Sequence, residues 1–141
     1  MRLAAGALLA TLALLLVTGA GAKDFQPGDL RICNAKRCIA IVDAKVLPTI
    51  GAFYYSGGSP PKSKPPRMGA RAYELRFTNG YATGVVAGRG LDRFLSYGVN
   101  LGRFQKGQWY RVPTKLAGHL TCLATKLQPL RVTPSTLAKS H

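Results

Sequence analysis

Hydrophobic and polar positions change period several times along the chain. Asp29-Leu30-Arg31-Ile32-Cys33 and Cys38-Ile39-Ala40-Ile41-Val42 are short strand-like runs, and Asn34-Ala35-Lys36-Arg37 between them predicts a β-hairpin. From Asp43 to Tyr55 the period becomes helical: Val46, Leu47, Ile50, Phe53 and Tyr54 share a stripe, with Asp43 as a cap and Gly57-Gly58 as a stop. Pro48 lacks a donor and clashes with a preceding turn, so the regular helix begins around Leu47.

Ala72 to Thr78 alternates, Asn79-Gly80 turns, and Tyr81 to Val86 returns, the strongest short-range hairpin signal in the chain. Tyr73, Leu75 and Phe77 fall on one face, expected to be buried; Glu74, Arg76 and Thr78 fall on the other, expected to be wet. Gly88-Arg89-Gly90 reads as a flexible turn, and Asp92 to Tyr97 as a short helical turn capped by Asp92. Val99–Phe104 and Gln108–Val112 read as a further strand pair. Leu116, Leu120, Leu123 and Leu127 define a helix from Thr114 to about Gln128, ended by Pro129. The expected fold class is α+β: a small antiparallel sheet built from hairpins, covered on one face by helices near 46–55 and 114–128. Residues 23–130 form the expected single domain, and residues 131–141 a fraying tail.

Residues 56–70 break the pattern. They hold Gly57, Gly58, Pro60, Pro61, Pro65, Pro66 and Gly69, with Lys62, Lys64 and Arg67 among them. Such a segment reads as an exposed, partly extended loop: a solvated connector, a basic arm toward an anionic surface, or a proline-rich ligand.

The N-terminus changes the picture of location. Met1-Arg2, the apolar run Leu3–Val17 and the small residues Thr18 to Ala22 have the layout of a secretory signal peptide, with cleavage expected after Ala22. The alternative is an uncleaved N-terminal anchor, since the apolar stretch approaches the roughly 20 residues that span a bilayer. Either reading places the domain in the secreted or cell-envelope space. With its Ala-, Gly- and Arg-rich composition, the leader suggests a bacterial exported protein. Export to an oxidising compartment makes a disulfide between Cys33 and Cys38 the expected state of the first hairpin, where the two lie opposite each other. A redox Cys pair is the sharper reading, but the usual spacing is two residues and no other thioredoxin-like signal is present.

Charge narrows the partners. Twenty Lys and Arg face five Asp and Glu, a formal +15; removing residues 1–22 takes only Arg2 from this balance, leaving 19 cations, five acids and +14 on 119 residues. Such a field steers toward polyanions and fades with salt. Export makes nucleic acid an unexpected partner and leaves an anionic envelope polymer, a lipid surface or an acidic protein; the plain alternative is a solubility role. The anion-contact candidates are Lys36 and Arg37, then Lys62, Lys64 and Arg67, then Arg89 and Arg93.

Catalytic chemistry is thinly supplied. Cys122 is the odd cysteine, expected as a free thiol on the edge of the last helix, and His119 precedes it by three residues, within reach for a nucleophile and base. No oxyanion donors accompany the pair, and an intermolecular Cys122-linked dimer is the better expectation. Glu74 is the one glutamate, explained by a surface ion pair with Arg76. Cys33, Cys38, His119 and Cys122 match no zinc spacing, and Gly84 to Gly90 lacks the phosphate-loop pattern, so no metal or cofactor is expected. The favoured function is non-catalytic binding of an anionic envelope component. The rivals are a small extracytoplasmic enzyme using Cys122 with His119, or Glu74, and an accessory subunit of a membrane protein.

Overall fold

The computed structural model describes residues 25–97 and 103–135. The expected leader, most of the expected strand at 99–104 and the last residues of the tail lie outside them. The element order is β1 (Leu30–Cys33), β2 (Cys38–Ala40), α1 (Leu47–Tyr55), β3 (Arg71–Phe77), β4 (Ala82–Ala87), β5 (Arg93–Ser96), β6 (Trp109–Arg111), α2 (Thr114–Ala124) and β7 (Leu130–Arg131). The fold is α+β, with one antiparallel sheet in the order β2-β1-β3-β4-β5-β6. β3 is its spine: β4 runs along one edge, while β1 and the short β7 share the other, opposite residues 74–77 and 71–72 respectively.

Two apolar clusters stabilise the sheet. The larger gathers Leu30, Ile32, Tyr73, Leu75, Val86, Phe94 and Tyr110 from the strands with Ile50, Phe53 and Tyr54 of α1 and Leu116, Leu120 and Ala124 of α2. Phe53, Phe94 and Phe104 meet edge-on or tilted, with centroids 4.7–5.3 Å apart. The smaller cluster holds Ala72, Val85, Ala87, Leu95, Trp109 and Val132. Neighbours in these strands alternate between the clusters: Tyr73, Val86, Phe94 and Tyr110 form one cross-strand row, and Val85, Leu95 and Trp109 another. The second face is therefore not simply wet. Ala72 is buried and Glu74 is partly buried, because a second apolar layer lies behind β3.

Several local expectations are revised. Residues 93–96 are a strand, not a helical turn, and Asp92 caps no helix. Phe94 and Leu95 serve opposite clusters, and both edges of this segment pair with neighbouring strands, which a one-turn helix of costly nucleation does not outweigh. Asp43 does not cap α1: its carboxylate accepts the Lys45 amide in the preceding turn, and Val46 occupies the cap position. Pro48 falls in the first helical turn, where its missing N–H has no intrahelical acceptor to lose. α2 ends at Ala124, short of Gln128. Its last turn tightens through Lys126 and Leu127 amides bonding to Leu123 and Ala124 carbonyls, which still buries Leu127. The Tyr73 hydroxyl lies 3.3 Å from both the Ala124 and the Leu127 carbonyls and donates to this end of the helix, where the Ala124 carbonyl also accepts the Leu127 amide.

The segment 56–70 is not a free loop. Lys62 bridges to Tyr110; the Ser63 amide donates to the Trp109 carbonyl, the Arg111 amide to the Pro61 carbonyl, and Pro60 and Pro66 are buried. Proline keeps its carbonyl acceptor, so a proline-rich chain can border a sheet edge without offering a full row of donors. Nor does the chain fray at residue 131. Leu130–Arg131 pairs with β3, Val132 is buried, and Gly69 and Val132 amides bond to Val132 and Ala70 carbonyls.

Candidate functional site

Antiparallel connectivity brings the start of β3, the end of β4 and the start of β5 to one end of the sheet. β7 joins them there, with Arg131 opposite Arg71. The β4–β5 connection carries Arg89, and the proline-rich segment returns past the same end with Arg67. The result is an open cleft of about 580 Å³ lined by Arg67, Arg71, Arg89, Arg93 and Arg131, with Asp92 as its acidic residue and Pro66, Met68 and Ala70 as apolar wall. Its volume is within the roughly 300–1,000 Å³ typical of small-molecule sites.

The arginines are held differently. Arg71 donates to the Arg89 carbonyl, and Arg93 donates to the Lys64 and Pro65 carbonyls at 3.2 and 2.7 Å. Arg131 lies 3.5 Å from the Gly69 carbonyl. Backbone acceptors thus fix guanidinium groups without neutralising them. Arg67 and Arg89 are exposed, and their side chains make no hydrogen bond among the described residues. Asp92 forms no ion pair with the surrounding arginines among the described residues. The Gly88 turn shapes the wall: its φ is +101°, its amide donates to the Arg71 carbonyl, and a Cβ there would meet Asp92 Oδ1 at 2.9 Å.

Of the anion-contact candidates, Arg67, Arg89 and Arg93 line this cleft, whereas Lys36, Arg37, Lys62 and Lys64 do not. Lys36 is exposed on the first hairpin; Lys62 and Lys64 are exposed on the segment beside β6. Arg37 donates to the Lys126 carbonyl just beyond α2, a favourable place for a cation near a helix C-terminus. Sequence reasoning missed Arg71 and Arg131. The pairing of residues 72–87 hinted at Arg71 facing the Arg89 turn, but the placement of Arg131 requires a strand partner distant in sequence.

The catalytic candidates are arranged otherwise. Cys33 and Cys38 are disulfide-bonded, so their sulfurs are not available as thiolate ligands. Cys122 is an exposed free thiol. His119 Nδ1 approaches Asp43 Oδ2 at 3.9 Å, and its Nε2 is buried with no hydrogen-bond partner among the described residues; it does not receive the Cys122 thiol. Glu74 pairs with Arg76 Nε at 2.6 Å. Tyr97 sits beside them: partial burial raises its phenol pKa above the usual value, and the negative charge of the Glu74 carboxylate, which accepts a hydrogen bond from the Tyr97 hydroxyl, raises it further. Glu74 is thus engaged by two neighbours. Among the described residues no group of three or more metal-ligating side chains comes together.

The fold and site define a class: a small disulfide-bonded α+β domain with an arginine-lined cleft at one end of its sheet. Compared with protein-family models, curated proteins and solved structures, the chain matches none of them.

Proposed function

We propose that the protein is an exported, non-catalytic binding protein whose arginine cleft contacts an anionic component of the cell envelope. The convergence of five arginines around one acid carries this reading. A solubility role needs cations dispersed over the surface; it does not require guanidinium groups from distant segments to be tethered to carbonyls around one concavity. The disulfide is consistent with an extracytoplasmic location, and no helix among the described residues is long and apolar enough to cross a membrane. The leader reading supplies the route of export. In this reading both helices share one sheet face, supported by their joint membership of the larger apolar cluster, leaving the sheet end open to ligand.

The test is binding of the purified protein to anionic and neutral liposomes and to cell-wall material across a salt series. Anion-selective binding that fades with salt and falls in Arg67→Ala and Arg89→Ala is expected. Absence of binding at every salt concentration overturns the proposal. Retained activity of a measured reaction after replacement of Cys122, His119 and Glu74 removes the enzymatic rival, and crosslinking to a membrane protein in place of polymer or lipid favours an accessory subunit.

A further inference from the structure

We infer that the cleft recognises a ligand presenting two adjacent phosphoryl groups; this deepens the anion-binding reading and rests on it. Charge density and donor shape in the cleft both favour such a ligand. Five guanidinium groups against Asp92 leave four positive charges uncompensated around one cleft. A single carboxylate neutralises one of them, whereas two linked phosphoryl groups carry roughly two to three negative charges in a comparable space. Arginine presents a planar fork that pairs two donors with phosphate oxygens, and this cleft is lined by arginine without lysine.

The side chains divide the work. Arg71 and Arg93 are tethered through one nitrogen to backbone carbonyls, which orients each group while leaving other N–H donors on its fork. Exposed Arg67 and Arg89 can then contact the ligand from the proline-rich segment and the β4–β5 turn. Asp92 supplies an acceptor for a hydroxyl on the organic portion, and Met68, 55% exposed, offers apolar surface at the wall. The chemistry is shared by a soluble diphosphate ester and by a diphosphate headgroup on a lipid.

The experiment is calorimetric titration of the protein, as processed by an exporting host, with inorganic pyrophosphate, inorganic phosphate and an oligogalacturonate. Pyrophosphate is expected to bind at least about tenfold more tightly than either of the others. The Arg67→Ala/Arg89→Ala double variant is expected to lose about tenfold or more of that affinity, while Lys36→Ala/Lys106→Ala, which removes an exposed lysine from the first hairpin and another from the β5–β6 connection, both outside the cleft, loses much less for the same charge change. Arg67→Lys/Arg89→Lys preserves charge and should still lose most of the selectivity for pyrophosphate. Vesicles carrying a lipid diphosphate, compared with vesicles of equal charge from phosphatidylglycerol, separate the sources: selective retention assigns the lipid, and soluble binding without retention assigns a free diphosphate. Equal affinity for pyrophosphate and phosphate, or equal losses in the two alanine pairs, overturns the ligand assignment. If oligogalacturonate binds through Arg67 and Arg89 while pyrophosphate does not, the assignment fails and the anion-binding reading survives; if no probe or envelope material binds, both fail.

Discussion

Gly84 lies in the middle of β4 beneath the Phe94 ring. A Cβ added there would stand 2.6 and 2.8 Å from Phe94 Cε2 and Cζ and collide with the Leu95 carbonyl, a backbone atom fixed by β4–β5 pairing. Gly84→Ala is therefore expected to destabilise the fold by about 3 kcal/mol, the upper part of the overpacking range, seen as a lower denaturant midpoint. Tyr54 makes a second prediction. Burial raises its phenol pKa well above the ordinary value of 10.0, partly offset by the Thr83 hydrogen bond. Above about pH 10 the unfolded chain loses this proton while the native state retains it, so stability present below that pH declines by about 1.4 kcal/mol per pH unit for such a phenol. Tyr54→Phe should flatten part of that decline in alkaline denaturation curves, at about 1 kcal/mol of neutral-pH stability, because Thr83 still donates to the Leu75 carbonyl. Sequence placed Tyr54 in the helical stripe, but the Thr83 partner and the ring over Gly84 depend on strand register.

At the scale of elements, the Cys33–Cys38 bridge closes a short hairpin whose β1 also pairs with β3. Replacing both cysteines with serine is expected to reduce stability by about 2 kcal/mol without unfolding the sheet, a difference abolished when the parent protein is reduced. The proline-rich segment makes a contrasting test. A solvated connector would exchange its amides rapidly, whereas the Ser63 and Arg111 amides are bonded across the sheet edge at 3.0 and 2.9 Å. Hydrogen exchange should show both protected, with Arg93→Ala lowering protection at Ser63 by releasing the Lys64 and Pro65 carbonyls. The first hairpin, the Asn79-Gly80 hairpin and both helices were legible because local period and turn chemistry agree. Residues 93–96 were not, because a four-residue strand feeding two apolar layers has neither a wet face nor a long enough run to reveal its period.

At the scale of the molecule, charge and the exposed Cys122 oppose each other. Two copies carrying formal charges of +15 each repel, so oxidation of two Cys122 thiols to a linked dimer by an added oxidant, which takes up the two electrons and two protons released, is expected to proceed faster as salt screens that repulsion. Non-reducing electrophoresis should show the dimer increasing with salt and absent in Cys122→Ser. Anion binding should weaken along the same salt axis, which separates the two consequences of the charge.

The basic excess, the paired cysteines, the hairpin turns and the apolar stripes of the helices follow from composition and local spacing, and these suffice for the α+β class. They also identified Arg67, Arg89 and Arg93 as cations worth considering, without showing that they meet. Tertiary structure decided the rest: β7 pairs with the start of β3, the proline-rich segment borders β6, and antiparallel return brings cations from distant segments to one end of the sheet. Local propensity acts over a few residues, whereas the cleft depends on backbone pairings between segments up to about sixty residues apart, and those pairings are chosen by the burial of both sheet faces together.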